Sequence, residues 1–111
     1  MTAINTDAVL TKLGYVPSDT LRNQLERIQK NTKEYEKIIK HVLDLHDALQ
    51  VDKSYVALSN SNDYLKIKIE AQTLEMKEEA LEKIERFKEK YKVDLQKVDG
   101  KDTYYITGFA A

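Results

Sequence analysis

A chain of 111 residues with 41% hydrophobic and 33% charged residues has apolar material for one modest core and too little length for two. It reads as a single folded domain, residues 1–111, rather than a disordered segment. Eighteen basic against nineteen acidic side chains leave a formal charge of -1, which argues against a general attraction to nucleic acid or anionic lipid, and the lack of cysteine excludes disulfides and thiolate chemistry. No apolar run approaches the ~20 residues of a membrane span and the first residues do not form a leader, so no membrane is expected and a cytoplasmic location is the default.

Asn5 or Thr6 is placed to cap a short helix through Leu13, closed by Gly14, with Val9, Leu10 and Leu13 as its apolar face. Tyr15, Val16 and Pro17 form a corner, and Ser18 caps a second, longer helix.

From Ser18 to Gln50 the residues Leu21, Leu25, Ile28, Thr32, Tyr35, Ile39, Val42, His46 and Leu49 recur at alternating spacings of four and three. That is a heptad seam on a long helix. Roughly 32 residues at about 1.5 Å each span about 48 Å, whereas a compact domain of this size is only about 34 Å across. Either the helix overhangs onto a partner or it breaks. Asn31-Thr32-Lys33-Glu34 resembles an internal capping box, but the heptad phase passes through Thr32 without a slip and favours a continuous or kinked helix. The second half, broadened by Ile38, Leu43 and Leu45, is expected in the core. The first half carries a narrow apolar stripe between charges, and narrow stripes suit another helix.

Beyond Gln50 the period falls to two. Val56 and Leu58, the turn residues Asn60-Ser61-Asn62-Asp63, and Leu65, Ile67 and Ile69 make a β-hairpin with Ser59 facing Tyr64, Leu58 facing Leu65 and Val56 facing Ile67. Its outward face then presents Tyr55, Ala57, Tyr64, Lys66 and Lys68. A helix from Thr73 or Met76 to Tyr91 comes next, with acid-first pairs Glu79–Lys83 and Glu82–Arg86. Asp99-Gly100 reads as a two-residue turn that sets Val93 against Ile106, Leu95 against Tyr104 and Lys97 against Asp102, and the tail from Gly108 is expected to fray.

The fold class is therefore α+β: a short N-terminal helix, a long helix, then β-β-α-β-β forming a small, mostly antiparallel sheet packed on helices. The helical part covers residues 1–50 and the sheet-plus-helix part residues 51–111.

Chemistry is sparse. His41 and His46, with Asp44 and Asp47 beside them, suggest a metal or acid-base cluster, but five residues on a helix place the two rings about 140° apart. Helical ligands for one ion sit three or four apart. The expectation is a structural role, with no catalytic residue, no metal and no cofactor. Glycines at only three positions, 14, 100 and 108, leave no phosphate loop.

Two binding surfaces remain. In the first, a small non-catalytic interaction or regulatory module uses the first half of the long helix to meet a protein partner or a second copy of itself, as a homodimer. Leu21, Leu25 and Ile28 would be the anchors and Arg22, Glu26 and Arg27 would set the register. In the alternative, a small nucleic-acid- or ligand-binding domain uses Tyr55, Tyr64, Lys66 and Lys68, because rings stack on bases while ammonium groups track phosphates. Tyr105 is a further single contact residue on a strand face.

Overall fold

The computed structural model describes residues 5–110. Helix α1, Thr6–Lys12, is capped by Asn5, whose side chain accepts from the Ala8 amide at 2.8 Å. It ends where Gly14 turns to φ +93 and the Tyr15 amide donates to the Leu10 carbonyl at 2.9 Å, a closure that glycine makes without strain. Seven residues do not hold a helix in water. Here α1 buries Val9 and Leu10 completely, and Asp7 receives the Arg22 guanidinium at 2.7 and 3.2 Å.

Helix α2, Asp19–Asn31, carries Arg22 and starts under the Ser18 hydroxyl. It then stops, so the continuous or kinked helix favoured by the seam is corrected to two helices, broken beside Asn31. Thr32 is extended at φ -94 and ψ 116, Glu34 is left-handed at φ 50, and α3 begins afresh as Tyr35–Leu49. The capping box does not form either. Asn31 is the last residue of α2 and its amide donates to the Asp63 carbonyl at 3.1 Å, while the Glu34 carboxylate lies 3.2 Å from Lys37. The heptad phase survives because Thr32 and Tyr35, each 4% exposed, still point inward on either side of the break. With two shorter helices the domain fits principal extents of 37 × 31 × 27 Å and a radius of gyration of 13.3 Å.

A short 3-10 turn, Gln50–Asp52, leads into β1, Ser54–Leu58, and β2, Leu65–Ile69. They pair in the register expected from alternation, Leu58 with Leu65 and Val56 with Ile67, closed by the Ser59 amide on the Tyr64 carbonyl at 3.1 Å. Helix α4, Leu74–Tyr91, is capped by Thr73. It forms the Glu82–Arg86 pair at 3.0 Å, but Lys83 turns away from Glu79 to the buried Asp52 at 2.7 Å and the Ala48 carbonyl at 3.0 Å.

Strands β3, Val93–Lys97, and β4, Thr103–Phe109, complete an antiparallel sheet of order β1-β2-β4-β3. Their register is two residues away from the expected one: Lys97 faces Tyr104 and Leu95 faces Ile106, and an irregularity at Asp94/Leu95 then sets Val93 against Phe109. Asp99-Gly100 does form the turn, with the Lys101 amide on the Val98 carbonyl at 3.2 Å and Gly100 at φ +73. The ladder closes further out, through the Val98 amide and the Thr103 carbonyl at 2.9 Å. Asp102 is held elsewhere: its carbonyl accepts from the Ile69 amide at 2.9 Å and its carboxylate lies 3.2 Å from Lys77. A slip of two preserves the inward face, so the core is unchanged.

Gly108 and Phe109 belong to β4, and the Ala110 amide donates to the Lys92 carbonyl at 2.6 Å; Ala111 lies outside the described residues. Pairing between β2 and β4 ends at Leu65–Ile106, and the backbone slot beyond it is taken by Lys33, bridged to Gly108. The helix breaks because the sheet needs an extended residue there. An uncapped left-handed Glu34 is the local cost.

One face of the sheet packs Val56, Leu65, Ile67 and Ile106 against α3 and α4. The opposite face carries no helix among the described residues. Along the outer edge of β1, the amides of Val56 and Leu58 donate to His46 Nδ1 at 3.0 Å and to the Tyr15 hydroxyl at 3.1 Å, so side chains satisfy the groups that an edge strand leaves free. Among the described residues no helix is long and apolar enough to cross a membrane.

Candidate functional site

The residues expected to anchor a partner on α2 are largely inside the fold. Leu25 and Ile28 are fully buried and Leu21 packs partly against the same core. Arg22 is held by Asp7 at 2.7 Å and Asp19 at 3.1 Å. Only Glu26 projects freely. Helix α1 and the domain's own core cover this stripe, which leaves Leu25 and Ile28 no exposed surface for a partner.

The histidines separate as the helical spacing implies. His41 stacks on Tyr91, with ring centroids 3.7 Å apart and planes 11° from parallel. His46 lies inward, with Nδ1 accepting from Val56 and Nε2 2.8 Å from the Gln50 amide. Burial holds its pKa below the usual histidine value, partly offset by the Asp47 carboxylate. Among the described residues no three side chains of metal-ligating type converge.

The uncovered sheet face is where side chains of distinct chemistry do converge. Strand alternation points Tyr55, Lys66, Lys68 and Tyr105 outward, and the antiparallel ladder places Lys66 directly beside Tyr105 and Lys68 beside both Tyr55 and Thr103. The turn between β1 and β2 folds over one end. Ser59 Oγ and Ser61 Oγ are 3.2 Å apart, and Ser61 Oγ is 3.1 Å from the Tyr105 hydroxyl. The Tyr64 ring lies 6.3 Å from that of Tyr105, tilted by 33°. Lys101, from the turn between β3 and β4, closes the other end. Together Ser59, Ser61, Lys66, Lys68, Lys101 and Tyr105 line a recess of about 400 Å³.

Its electrostatics separate Tyr55 and Lys68 from Lys66. Tyr55 donates to Glu70 at 3.1 Å and Lys68 sits 3.2 Å from the same carboxylate, so both are held at the margin. Lys66 and Lys101 have no carboxylate within ion-pair distance among the described residues. The Tyr105 hydroxyl has its pKa lowered below the usual phenol value chiefly by the Ser61 hydrogen bond; burial opposes this, and Ser59 and then Lys101 and Lys66 add smaller lowering contributions. A site that favours a phenolate favours other oxyanions.

Sequence reasoning named Tyr64, Lys66 and Lys68 and missed Ser59, Ser61 and Lys101. Alternation alone places Tyr105 outward. That it neighbours Lys66 depends on β2 pairing with β4, which no local pattern announces.

Comparison of the chain with protein families, curated proteins and solved structures gives no match.

Proposed function

We propose that the chain is a non-catalytic binding module whose working surface is the uncovered face of the sheet, and that its ligand joins a phosphate to a flat ring, as in a nucleotide or a short single strand of nucleic acid. The carrying observation is the recess in which two ammonium groups without a carboxylate partner among the described residues, Lys66 and Lys101, flank a tyrosine hydroxyl of lowered pKa. Lysines and hydroxyls suit phosphate oxygens, and Tyr64 and Tyr105 offer rings to a base. The balanced overall charge confines the attraction to this face. A protein partner on α2 is the second reading. With Leu25 and Ile28 buried it would rest on Glu26 and its charged neighbours.

Binding of a labelled single-stranded oligonucleotide and of a labelled mononucleotide to the full chain tests the proposal. Affinity is expected to fall as salt rises and to drop about tenfold or more in Lys66→Gln plus Lys101→Gln, with Tyr105→Ala weakening both ligands. If neither ligand binds, or if binding ignores both salt and the double substitution, the reading fails. A mononucleotide that binds as tightly as the oligonucleotide assigns the site to the small ligand.

A further inference from the structure

The sheet ends in two edges, and the fold treats them differently. On β1 the outward amides of Val56 and Leu58 are taken up by His46 and by the Tyr15 hydroxyl. On β3 no side chain plays that part among the described residues. The Val98 amide donates to the Thr103 carbonyl at 2.9 Å, and Gln96 faces Tyr105 in the same register, so the bonds to β4 fall on Gln96 and Val98. Leu95 and Lys97 therefore turn their N–H and C=O groups away from the sheet. Two side-chain bonds touch the strand, the Thr107 hydroxyl on the Asp94 carbonyl at 3.2 Å and the Lys97 ammonium on the Lys101 carbonyl at 3.3 Å. Neither reaches an outward amide.

This edge is also regular. The register shift sets Asp94 against Gly108 and Leu95 against Ile106, so the extra residue is Thr107, in β4, and β3 itself alternates without a bulge. Val93 thus shares the outward side with Leu95 and Lys97. Asp94, Gln96 and Lys97 are exposed and Leu95 is half-buried. A regular row of backbone donors and acceptors is complementary to another extended backbone.

We propose that β3 is a self-association edge: two copies pair β3 to β3, antiparallel about a two-fold axis at Leu95, and join two four-stranded sheets into one of eight. This register uses the whole strand. Leu95 exchanges both backbone bonds with Leu95 of the second copy, and Val93 exchanges them with Lys97 of that copy. Like charges are kept from facing one another, since Asp94 comes to lie opposite Gln96 of the second copy and Lys97 opposite its Val93. The two Leu95 side chains cover each other's half-exposed apolar surface. An axis normal to the sheet leaves both uncovered faces on the same side, whatever those faces bind.

Light scattering of the full chain at rising concentration, up to about 1 mM so that a millimolar dissociation constant still registers, tests the proposal together with amide hydrogen exchange at both ends of the range. The mass is expected to double. The Leu95 and Lys97 amides are expected to be protected only at the high end, and the Gln96 amide throughout. Lys97→Pro deletes an outward N–H that the β4 ladder does not use, a position where an edge strand accepts proline, and is expected to leave a folded monomer. Gln96→Lys sets an ammonium opposite Asp94 and tightens the dimer about fivefold, while Gln96→Glu sets two carboxylates together and weakens it by about as much. These two exposed substitutions decide the matter even where the proline variant does not fold. The proposal is overturned if the chain stays monomeric throughout, if the Leu95 and Lys97 amides exchange alike at both concentrations, if folded Lys97→Pro still dimerises, or if the dimer ignores the charge placed at Gln96.

Discussion

Lys33 and Gly108, far apart in the sequence, meet backbone to backbone: the Phe109 amide donates to the Lys33 carbonyl at 2.9 Å, and a β-carbon added to Gly108 would lie 2.6 Å from Lys33 Cβ and 2.7 Å from its nitrogen. Gly108 also holds φ +148, where a side chain is strained. Gly108→Ala is therefore expected to lose about 2–4 kcal/mol, combining steric overlap with backbone strain. Chemical denaturation measures it. A loss under about half a kcal/mol would show that the contact yields easily.

Leu25 tests which side of α2 matters. Leu25→Ala removes a fully buried side chain and is expected to cost about 2–5 kcal/mol, while Glu26→Ala changes stability by less than about 0.5 kcal/mol. Light scattering is expected to show the same oligomeric state for both variants and the natural chain. Dissociation of an oligomer by Leu25→Ala at full stability would restore a partner-facing role.

His46 gives the fold a pH dependence of known sign. A neutral ring that accepts from Val56 at Nδ1 carries its proton on Nε2, which lies 2.8 Å from the Gln50 side-chain amide; the amide oxygen, not the nitrogen, has to face the ring to accept that proton. Burial lowers the folded pKa below the ordinary 6.5, so the unfolded chain takes up a proton first. Stability from this group is full above pH 6.5 and is lost as pH falls from 6.5 through the folded pKa. His46→Leu removes this part of the acid dependence. It also orphans the Val56 amide, at a cost of about 1–3 kcal/mol. Denaturation midpoints across pH 5 to 8 for the two chains check this, that window being roughly where histidine titrates.

Asp52, with its side chain 1% exposed, depends on Lys83, whose side chain is 30% exposed. Lys83→Met leaves a buried carboxylate without its cation and is expected to destabilise by about 2–4 kcal/mol, below the full figure for a wholly buried pair because water reaches the lysine. Asp52→Asn in the same background is expected to recover part of the loss. A double variant no more stable than Lys83→Met alone would contradict the pairing.

Tyrosine ionisation is expected to spread across alkaline pH. Tyr105 titrates below the usual 10 because the Ser61 hydrogen bond and nearby lysines favour its phenolate, whereas burial pushes Tyr35 up to about 12. Spectrophotometric titration of Tyr105→Phe should lack the earliest phase, and Tyr35→Phe the latest. The Tyr35 contribution to stability holds below pH 10 and is lost as pH rises from 10 towards 12, since the unfolded phenol ionises first.

Much of the fold is written locally. The β1–β2 register comes from alternation on both sides of Asn60–Asp63, and α1 and α4 begin at Asn5 and Thr73 as cap chemistry requires. The β3–β4 register cannot be had from Asp99-Gly100 alone, because β4 must satisfy β2 on its other side and Asp102 is taken by Ile69 and Lys77. The helix break is illegible for a similar reason. Thr32 and Tyr35 keep the apolar phase, and what the break accommodates is a backbone bridge from Lys33 to Gly108, far away in sequence. The candidate site is divided in the same way: Lys66 and Lys68 are readable as an outward row, while Ser61 and Lys101 arrive from turns at its two ends.

The bridge between Lys33 and Gly108 is also a contact of long sequence separation, and loop-closure entropy has to be met before such a contact repays it. The corner between α2 and α3 draws its backbone partner from the other half of the fold. Its order is therefore a tertiary property, one that neither helix carries by itself.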